Sequence, residues 1–214
     1  MIILGLGVSR KETKKIHKFF NNQEHFDLDY ESDVKIFSWY NSENIVINRI
    51  KTLEKKLYTN TNSSKKNFHV TGDIAFYYLP YIELLINNFP YIKFISTKKS
   101  KKHIFKDLKA DIQTNSSLPA RLLLFKKKYK NHWNDHDGKK WEKDYINDKC
   151  YPKYDISDLD KSINMYIDSY ISEVRKIQRK YPKNLKVFFT DELNSNYGKK
   201  KIFNFIGIKK SWTS

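Results

Sequence analysis

The sequence has little cysteine, proline, glycine and arginine. Its 214 residues include one Cys, five Pro and six Gly. Because Cys150 is alone, an internal disulfide is excluded, which is typical of cytosolic proteins. The low glycine and proline content excludes a collagen-like or low-complexity chain. No apolar run approaches the ~18 residues of a membrane span, and no secretory leader is visible at the first residues. We therefore expect a cytoplasmic protein without a membrane span.

The charge of the chain is strongly positive, yet arginine supplies little of it. Lys and Arg total 41 against 24 acidic residues, for a net charge of +17. Such a balance indicates an anionic partner, namely nucleic acid, a membrane surface or a phosphorylated ligand. Arginine is the preferred residue for reading base edges, so its scarcity argues against sequence-specific DNA recognition. Nonspecific nucleic-acid binding stays open, as does a compositional bias towards lysine.

Apolar periodicity predicts a single α/β domain over residues 1–214, with a central, mainly parallel sheet flanked by helices. The predicted strands cover residues 2–6, 68–70, 92–97 and 185–189, with a further extended piece at 33–39. The predicted helices begin near residue 13 and then cover residues 44–57, 75–88, 100–108, 118–129, 159–181 and 200–205. Residues 109–158 are predicted to form a largely irregular insertion.

In a parallel sheet, ligands bind outside the carboxyl ends of the strands. That rule directs attention to residues 7–13, 71–73 and 97–103. A helix that begins near Thr13 would direct its first backbone N–H groups at the loop after the first strand. The spacing therefore predicts an anion site at that loop.

Residues 72–99 carry a run of motifs in a recognisable order. An Asp precedes a Tyr/Phe-rich helix that ends in Glu-Leu-Leu (83–85), and Phe89-Pro90 and a Lys-Phe-Ile strand (93–95) follow. Near the end of the chain come Tyr-Pro (181–182), a Lys-Val-Phe-Phe strand (186–189), Asp-Glu-Leu (191–193) and Phe-Asn-Phe-Ile-Gly-Ile (203–208). This order resembles the sulfotransferase family. Residues 130–138 with Trp141 resemble segments of small sulfotransferase-like proteins of marine microbes and phages.

The resemblance implies a P-loop-like fold and the co-substrate 3′-phosphoadenosine 5′-phosphosulfate, used without a metal. It implies transfer of a sulfuryl group to an acceptor hydroxyl or amine of a carbohydrate or small molecule. The residues implied in binding the 5′-phosphosulfate are Ser9, Arg10, Lys11 and Thr13, and Lys11 would also stabilise charge on the bridging oxygen. Those implied in binding the nucleotide's 3′-phosphate and covering the nucleotide are Lys98, Lys99, Lys209 and Lys210.

Asp73 is the candidate general base, because it follows a predicted strand at the ligand edge. A carboxylate just before a helix is also a common N-cap, so that reading stays open. His69, within the predicted strand, is the other candidate base. His132, Asp135, His136 and Asp137 have some metal-ligand character, but no further Cys or Glu completes a zinc set, and we expect no metal.

The loop after the first strand departs from the family pattern. It has no internal glycine and carries Glu12, while Lys99 replaces the family's usual Arg and Asp107 stands where the family often has a serine. We expect the Glu12 side chain to point away from the phosphosulfate and to pair with Lys14 or Lys15, since like charge would oppose binding. A catalytically inactive homologue that binds a nucleotide or polyanion is the alternative function.

Overall fold

The computed structural model describes residues 1–32, 43–60, 70–116 and 158–208. The predicted extended piece at 33–39 and the predicted helix at 118–129 lie outside these ranges. So does most of the predicted insertion, although its first residues extend a helix as far as Ser116.

The described residues alternate strands with helices. In chain order the elements are β1 (Ile2–Leu6), α1 (Arg10–Asn21), β2 (Phe26–Tyr30), α2 (Glu43–Asn60), β3 (Val70–Ile74), a 3₁₀ helix (Phe76–Tyr81), α3 (Ile82–Asn88), β4 (Lys93–Lys98), α4 (Lys101–Ser116), α5 (Leu159–Lys180), β5 (Leu185–Phe189), a second 3₁₀ helix (Thr190–Asn194) and α6 (Asn196–Ile206).

The strands form one five-stranded sheet in the order β2-β3-β1-β4-β5, and every described pairing is parallel. The prediction of an α/β fold with a mainly parallel sheet is thereby confirmed. β1 lies at the centre, with Ile3 opposite Gly72 of β3 and Lys93 of β4. All residues of β1 are buried, which explains its continuous apolar run.

Helices cover both faces of the sheet, and side chains alternate between two cores. Ile3 and Ile95 face the core that α1 and α6 complete. Leu4 and Phe94 face the larger core, to which α2, α3, α4 and α5 contribute. Among the described residues, no helix is both long and apolar enough to cross a membrane.

Two strands differ from their predictions. β2 was not predicted, because the segment is only five residues long and two of them, Asp27 and Asp29, are of a type depleted in strands. β3 continues to Ile74 instead of ending near residue 70. Asp73 therefore lies inside a buried strand and not in the loop after it.

Two helices begin earlier than predicted. α1 begins at Arg10, because the Ser9 carbonyl accepts hydrogen bonds from the amides of Glu12 and Thr13 at 3.1 Å each. α6 begins at Asn196 instead of residue 200, because the Ser195 hydroxyl caps the helix by accepting a hydrogen bond from the Gly198 amide at 3.0 Å.

The predicted helix at 75–88 divides into two parts. Its first part, which contains Pro80, is a 3₁₀ helix, and α3 begins only at Ile82. Proline has no backbone N–H for the α-helical hydrogen-bond ladder, which accounts for the division.

Replacing Gly72 with Ala should be severely destabilising. A Cβ at Gly72 would lie 1.8 Å from the Ile3 carbonyl oxygen, so β1 and β3 would have to separate. We expect a loss above about 4 kcal/mol, or no folding. The matched control is Gly207→Ala, where φ is +75° and a Cβ would meet nothing within 4 Å; it should cost about 1–2 kcal/mol. Guanidinium titration followed by circular dichroism measures both, and equal midpoints would contradict the close packing.

Candidate active site

The chain leaves adjacent strands β1 and β4 in opposite directions. From β1 it passes to β2 on one side of the sheet, whereas from β4 it passes to β5 on the other. Such a divergence opens a crevice at the carboxyl ends of the two strands, where ligands of parallel sheets bind. The loop 7–9, the start of α1 and the end of β4 border this crevice.

The loop after β1 folds tightly against the first turn of α1. A Cβ at Gly7 would lie 2.8 Å from Thr13 Cγ2 and 2.9 Å from the Thr13 amide nitrogen, so no side chain fits at that position. The Tyr166 hydroxyl of α5 donates to the Val8 carbonyl at 2.8 Å. Ser9 is buried, and its Oγ has no hydrogen-bond partner among the residues that the structure describes. Gly7 is therefore needed for the loop to pack against α1, and the Ser9 hydroxyl is unused within the described ranges.

The Glu12 side chain occupies the interior at this edge. It lies one helical turn before Ile16 on the buried face of α1, and its side chain is 2% exposed. Its Oε2 accepts hydrogen bonds from the hydroxyls of Thr97 (3.2 Å) and Thr190 (2.9 Å), and its Oε1 lies 3.3 Å from Lys15 Nζ. The predicted contact with Lys15 is present. The rest of the side chain points into the interior towards β4 and β5, because α1 begins early enough to place Glu12 on its inner face.

Glu31, immediately after β2, engages two of the predicted loop residues. Its Oε2 accepts from Arg10 Nε at 2.7 Å, and its Oε1 accepts from the Thr13 hydroxyl at 3.1 Å. Glu31 has φ 45°, a left-handed conformation that a residue with a side chain rarely adopts. Burial raises the pKa of the Glu31 carboxyl, although the Arg10 guanidinium opposes that shift. Sequence reasoning missed Glu31, because β2 was not predicted.

The structure brings Lys11 and Lys99 to the same carboxylate. Lys11 Nζ lies 3.5 Å from Asp107 Oδ1, and Lys99 Nζ lies 3.3 Å from Asp107 Oδ2. These lysines come from α1 and from the end of β4, as their predicted role requires. Lys98 lies apart from this group, with its Nζ 3.8 Å from the centre of the Phe189 ring.

Asp73 is fully buried in β3. Its Oδ2 accepts hydrogen bonds from the hydroxyls of Tyr77 (3.1 Å) and Tyr78 (2.8 Å), and Arg49 Nη2 lies 3.5 Å from the same oxygen. Its Oδ1 is buried and has no hydrogen-bond partner within the described ranges. Burial raises the pKa of Asp73, while Arg49 and the two hydroxyls oppose the rise. Asp73 does not cap the next helix, whose N-cap is Ala75, so the capping alternative is wrong.

Arg49 connects Asp73 to the surface. Its Nη2 also donates to Asp29 Oδ2 at 2.7 Å and to the Ser32 hydroxyl at 2.6 Å. Lys56 in turn donates to Asp29 Oδ1 at 2.9 Å. Arg49, Tyr77 and Tyr78 were missed by sequence reasoning. The one available signal was that Arg49 is among only five arginines in the chain.

Several predicted residues lie outside the described ranges, namely His69, Lys209, Lys210, His132, Asp135, His136 and Asp137. Within the described part of the chain, no group of three or more His, Cys, Asp or Glu side chains could hold a metal ion.

Asp73→Asn should change how stability depends on pH. Because the pKa of Asp73 is raised in the folded state, the folded protein binds more protons than the unfolded chain at pH values from its ordinary pKa of 3.8 upwards. Wild-type stability therefore falls as pH rises through that window, and the Asn variant lacks this contribution. The free energy of unfolding of the wild type should exceed that of Asp73→Asn by the largest amount below about pH 4.

Urea titrations at a series of pH values measure this difference. The control is Tyr78→Phe, which keeps the Asp73 carboxylate and removes one hydroxyl that donates to it. This variant should still lose stability as the pH rises, as the wild type does. Parallel profiles for the wild type and Asp73→Asn would contradict the raised pKa.

Comparisons with known proteins find little at the level of sequence. No family model matches the chain, and no curated protein matches it. Among solved structures, the chain is similar to a sulfotransferase from Alicyclobacillus acidocaldarius, with a TM-score of 0.49 and 9% identity. The similarity covers 99% of this chain and 82% of that one. It concerns the arrangement of the backbone, and no side-chain role follows from it.

Proposed function

We propose that the crevice between β1 and β4 binds 3′-phosphoadenosine 5′-phosphosulfate, and that the protein transfers the sulfuryl group to an acceptor hydroxyl or amine. The convergence of Lys11 and Lys99 within 3.5 Å of one carboxylate carries this proposal. Two ammonium groups that meet at the carboxyl edge of a parallel sheet suit a phosphate group. The motif order of residues 72–99 and 181–208, which resembles the sulfotransferase family, supports the same assignment.

In this proposal, a phosphate of the nucleotide takes the place of Asp107 between Lys11 and Lys99. A dianionic phosphate has more charge and more acceptor oxygens than the carboxylate that it replaces. Gly7 lets the loop pack tightly against the first turn of α1, and the Ser9 Oγ, unpartnered among the described residues, supplies a donor. We assign the remaining contacts to the other predicted residues, which are Arg10 and Thr13, oriented by Glu31, and Lys98, Lys209 and Lys210.

The proposed transfer is a single displacement at sulfur. The acceptor oxygen or nitrogen forms a bond to sulfur while the bond from sulfur to the bridging oxygen breaks. The electron pair of that bond leaves with adenosine 3′,5′-bisphosphate, where the Lys11 ammonium stabilises the charge. The acceptor's proton passes to Asp73, whose Oδ1 has no other partner in the described structure.

Asp73 is preferred to His69 as the base. β3 is described from Val70 to Ile74, so Asp73 is close to the carboxyl end of the strand, whereas His69 comes four residues earlier in the sequence. Only the carboxyl end faces the crevice in a parallel sheet.

The second candidate function is nucleotide binding without transfer, and the position of Glu12 favours it. The loop lacks the family's internal glycine, and the buried Glu12 carboxylate in the first turn of α1 introduces negative charge beside the proposed phosphosulfate. A protein that only binds the nucleotide needs no base at Asp73.

Adenosine 3′,5′-bisphosphate should bind with one equivalent per chain and with micromolar affinity. Lys11→Gln and Lys99→Gln should each weaken binding about tenfold, which corresponds to ~1.4 kcal/mol. The control is Lys101→Gln, because Lys101 pairs with the exposed Asp168 on α5 and not with Asp107. Isothermal titration calorimetry measures all four proteins.

An equal loss in the Lys101 control would contradict the proposed site. Binding of any polyanion with a steep salt dependence would instead support the nucleic-acid alternative.

Asp73→Asn should lower sulfuryl transfer by about 10² to 10⁴ and keep the rise in melting temperature that the nucleotide causes, because Asp73 adds no positive charge to the site. His69→Ala should have a mild effect on both measurements. Transfer of radiolabelled sulfate to carbohydrate and phenol acceptors gives the rate. The reverse order of effects would assign the base to His69. A wild type that binds the nucleotide but sulfates no acceptor would establish the second candidate.

A further inference from the structure

Three separate elements direct donors at the Glu12 carboxylate. Thr97 lies in β4, Thr190 follows β5 directly, and Lys15 lies one turn further along α1. The two hydroxyls donate to Oε2 at 3.2 and 2.9 Å, and the ammonium lies 3.3 Å from Oε1. With 2% of the side chain exposed, these donors replace water almost completely. The carboxylate is therefore bound as an anionic ligand would be, except that it is attached to the chain.

Nothing in this donor set is specific for a carboxylate. Hydroxyl and ammonium groups also donate to the oxygens of sulfate and phosphate, which carry more charge on more acceptor atoms than a carboxylate does. The donors stand at the carboxyl ends of β4 and β5, on the side where a ligand of this sheet enters. Lys11, which we assign to phosphate binding, is the residue next to Glu12.

We propose that Thr97, Thr190 and Lys15 form an oxyanion site that the Glu12 carboxylate fills in the free protein. An external sulfate or phosphate group competes with Glu12 for these donors, so the chain contains its own inhibitor of ligand binding. This regulation rests on the proposed function for the identity of the natural ligand. The site itself can be tested with inorganic sulfate alone.

A purely structural role for Glu12 makes a different prediction. If the carboxylate only joins α1 to the ends of β4 and β5, its loss destabilises the protein in every salt alike. If the donors form an oxyanion site, the loss is reversed by an anion that enters the space left by the side chain. Rescue by sulfate therefore separates the two roles.

Glu12→Ala should be less stable than the wild type in sodium chloride and should regain stability in sodium sulfate of equal ionic strength. At a sulfate concentration about tenfold above its Kd, the melting temperature of the variant should rise by about 3–6 °C more than that of the wild type. Glu173→Ala on α5 is the control, because it removes the same charge from an exposed pair with Lys176. Differential scanning fluorimetry compares the three proteins.

Two further variants locate the effect. Glu12→Gln retains an acceptor oxygen in the site and should show no specific response to sulfate. Glu12→Ala combined with Thr97→Val should lose the rescue, because one of the donors is gone. If Glu12→Ala does not fold in chloride, its refolding yield in sulfate against chloride replaces the melting temperature. An equal benefit of sulfate to all proteins would be the general salting-out effect and would overturn the proposal.

The outcome is independent of the proposed function. Rescue of Glu12→Ala by sulfate, without binding of adenosine 3′,5′-bisphosphate to any variant, would support the oxyanion site and refute the nucleotide. Binding of the nucleotide to the wild type, without rescue by sulfate, would refute the site alone. If both hold, Glu12→Ala should bind the nucleotide at least tenfold more tightly than the wild type.

Discussion

The position of every group at the ligand edge depends on how closely β1 packs between its two parallel neighbours. The backbone of Gly72 lies against the Ile3 carbonyl, and β1 is buried on both faces. With the central strand fixed in this way, the loop that follows it has one path, across the top of the sheet into α1. The close approach at Gly7 and the hydrogen bond from Tyr166 to the Val8 carbonyl fix that path further. The packing of the sheet thus determines where the groups at this edge lie.

The groups that organise this edge are acidic, although the chain has a net charge of +17. In the described part of the chain, carboxylates at this edge engage their own donors, among them those of Glu12, Glu31, Asp73 and Asp107. Buried carboxylates need such partners, because burial without them disfavours the charged form. Most of the lysines that the structure describes lie on the exposed surface. The net positive charge of the sequence therefore arises mainly from the surface and not from the groups at the candidate site.

Sequence reasoning succeeded where a local pattern determines the structure. The apolar run at residues 2–6 matches β1, because a parallel strand buried on both faces needs such a run. The largely apolar segment at 185–189 matches the edge strand β5. It failed where pairing between distant segments decides. β2 is short and half acidic, and its pairing with β3 makes it a strand. The partners Glu31 for Arg10 and Arg49 for Asp73 join different elements, so no spacing in the sequence reveals them. Lys11 and Lys99 could be predicted, because each closely follows the end of a strand.

The hydrogen bond between Tyr166 and Val8 has a consequence for how the protein is made. β1 is synthesised well before its neighbour β4 and the α5 residue that holds its loop. At roughly 5–20 residues per second, the ribosome needs on the order of 10–30 s to reach Tyr166 after Val8 has formed. Until β3 and β4 have been made, β1 has unpaired backbone groups and apolar side chains on both faces, and its loop lacks the Tyr166 contact for longer still. Such exposed strands invite association with other chains, so nascent copies of this protein should depend on chaperones more than a fold with local contacts would.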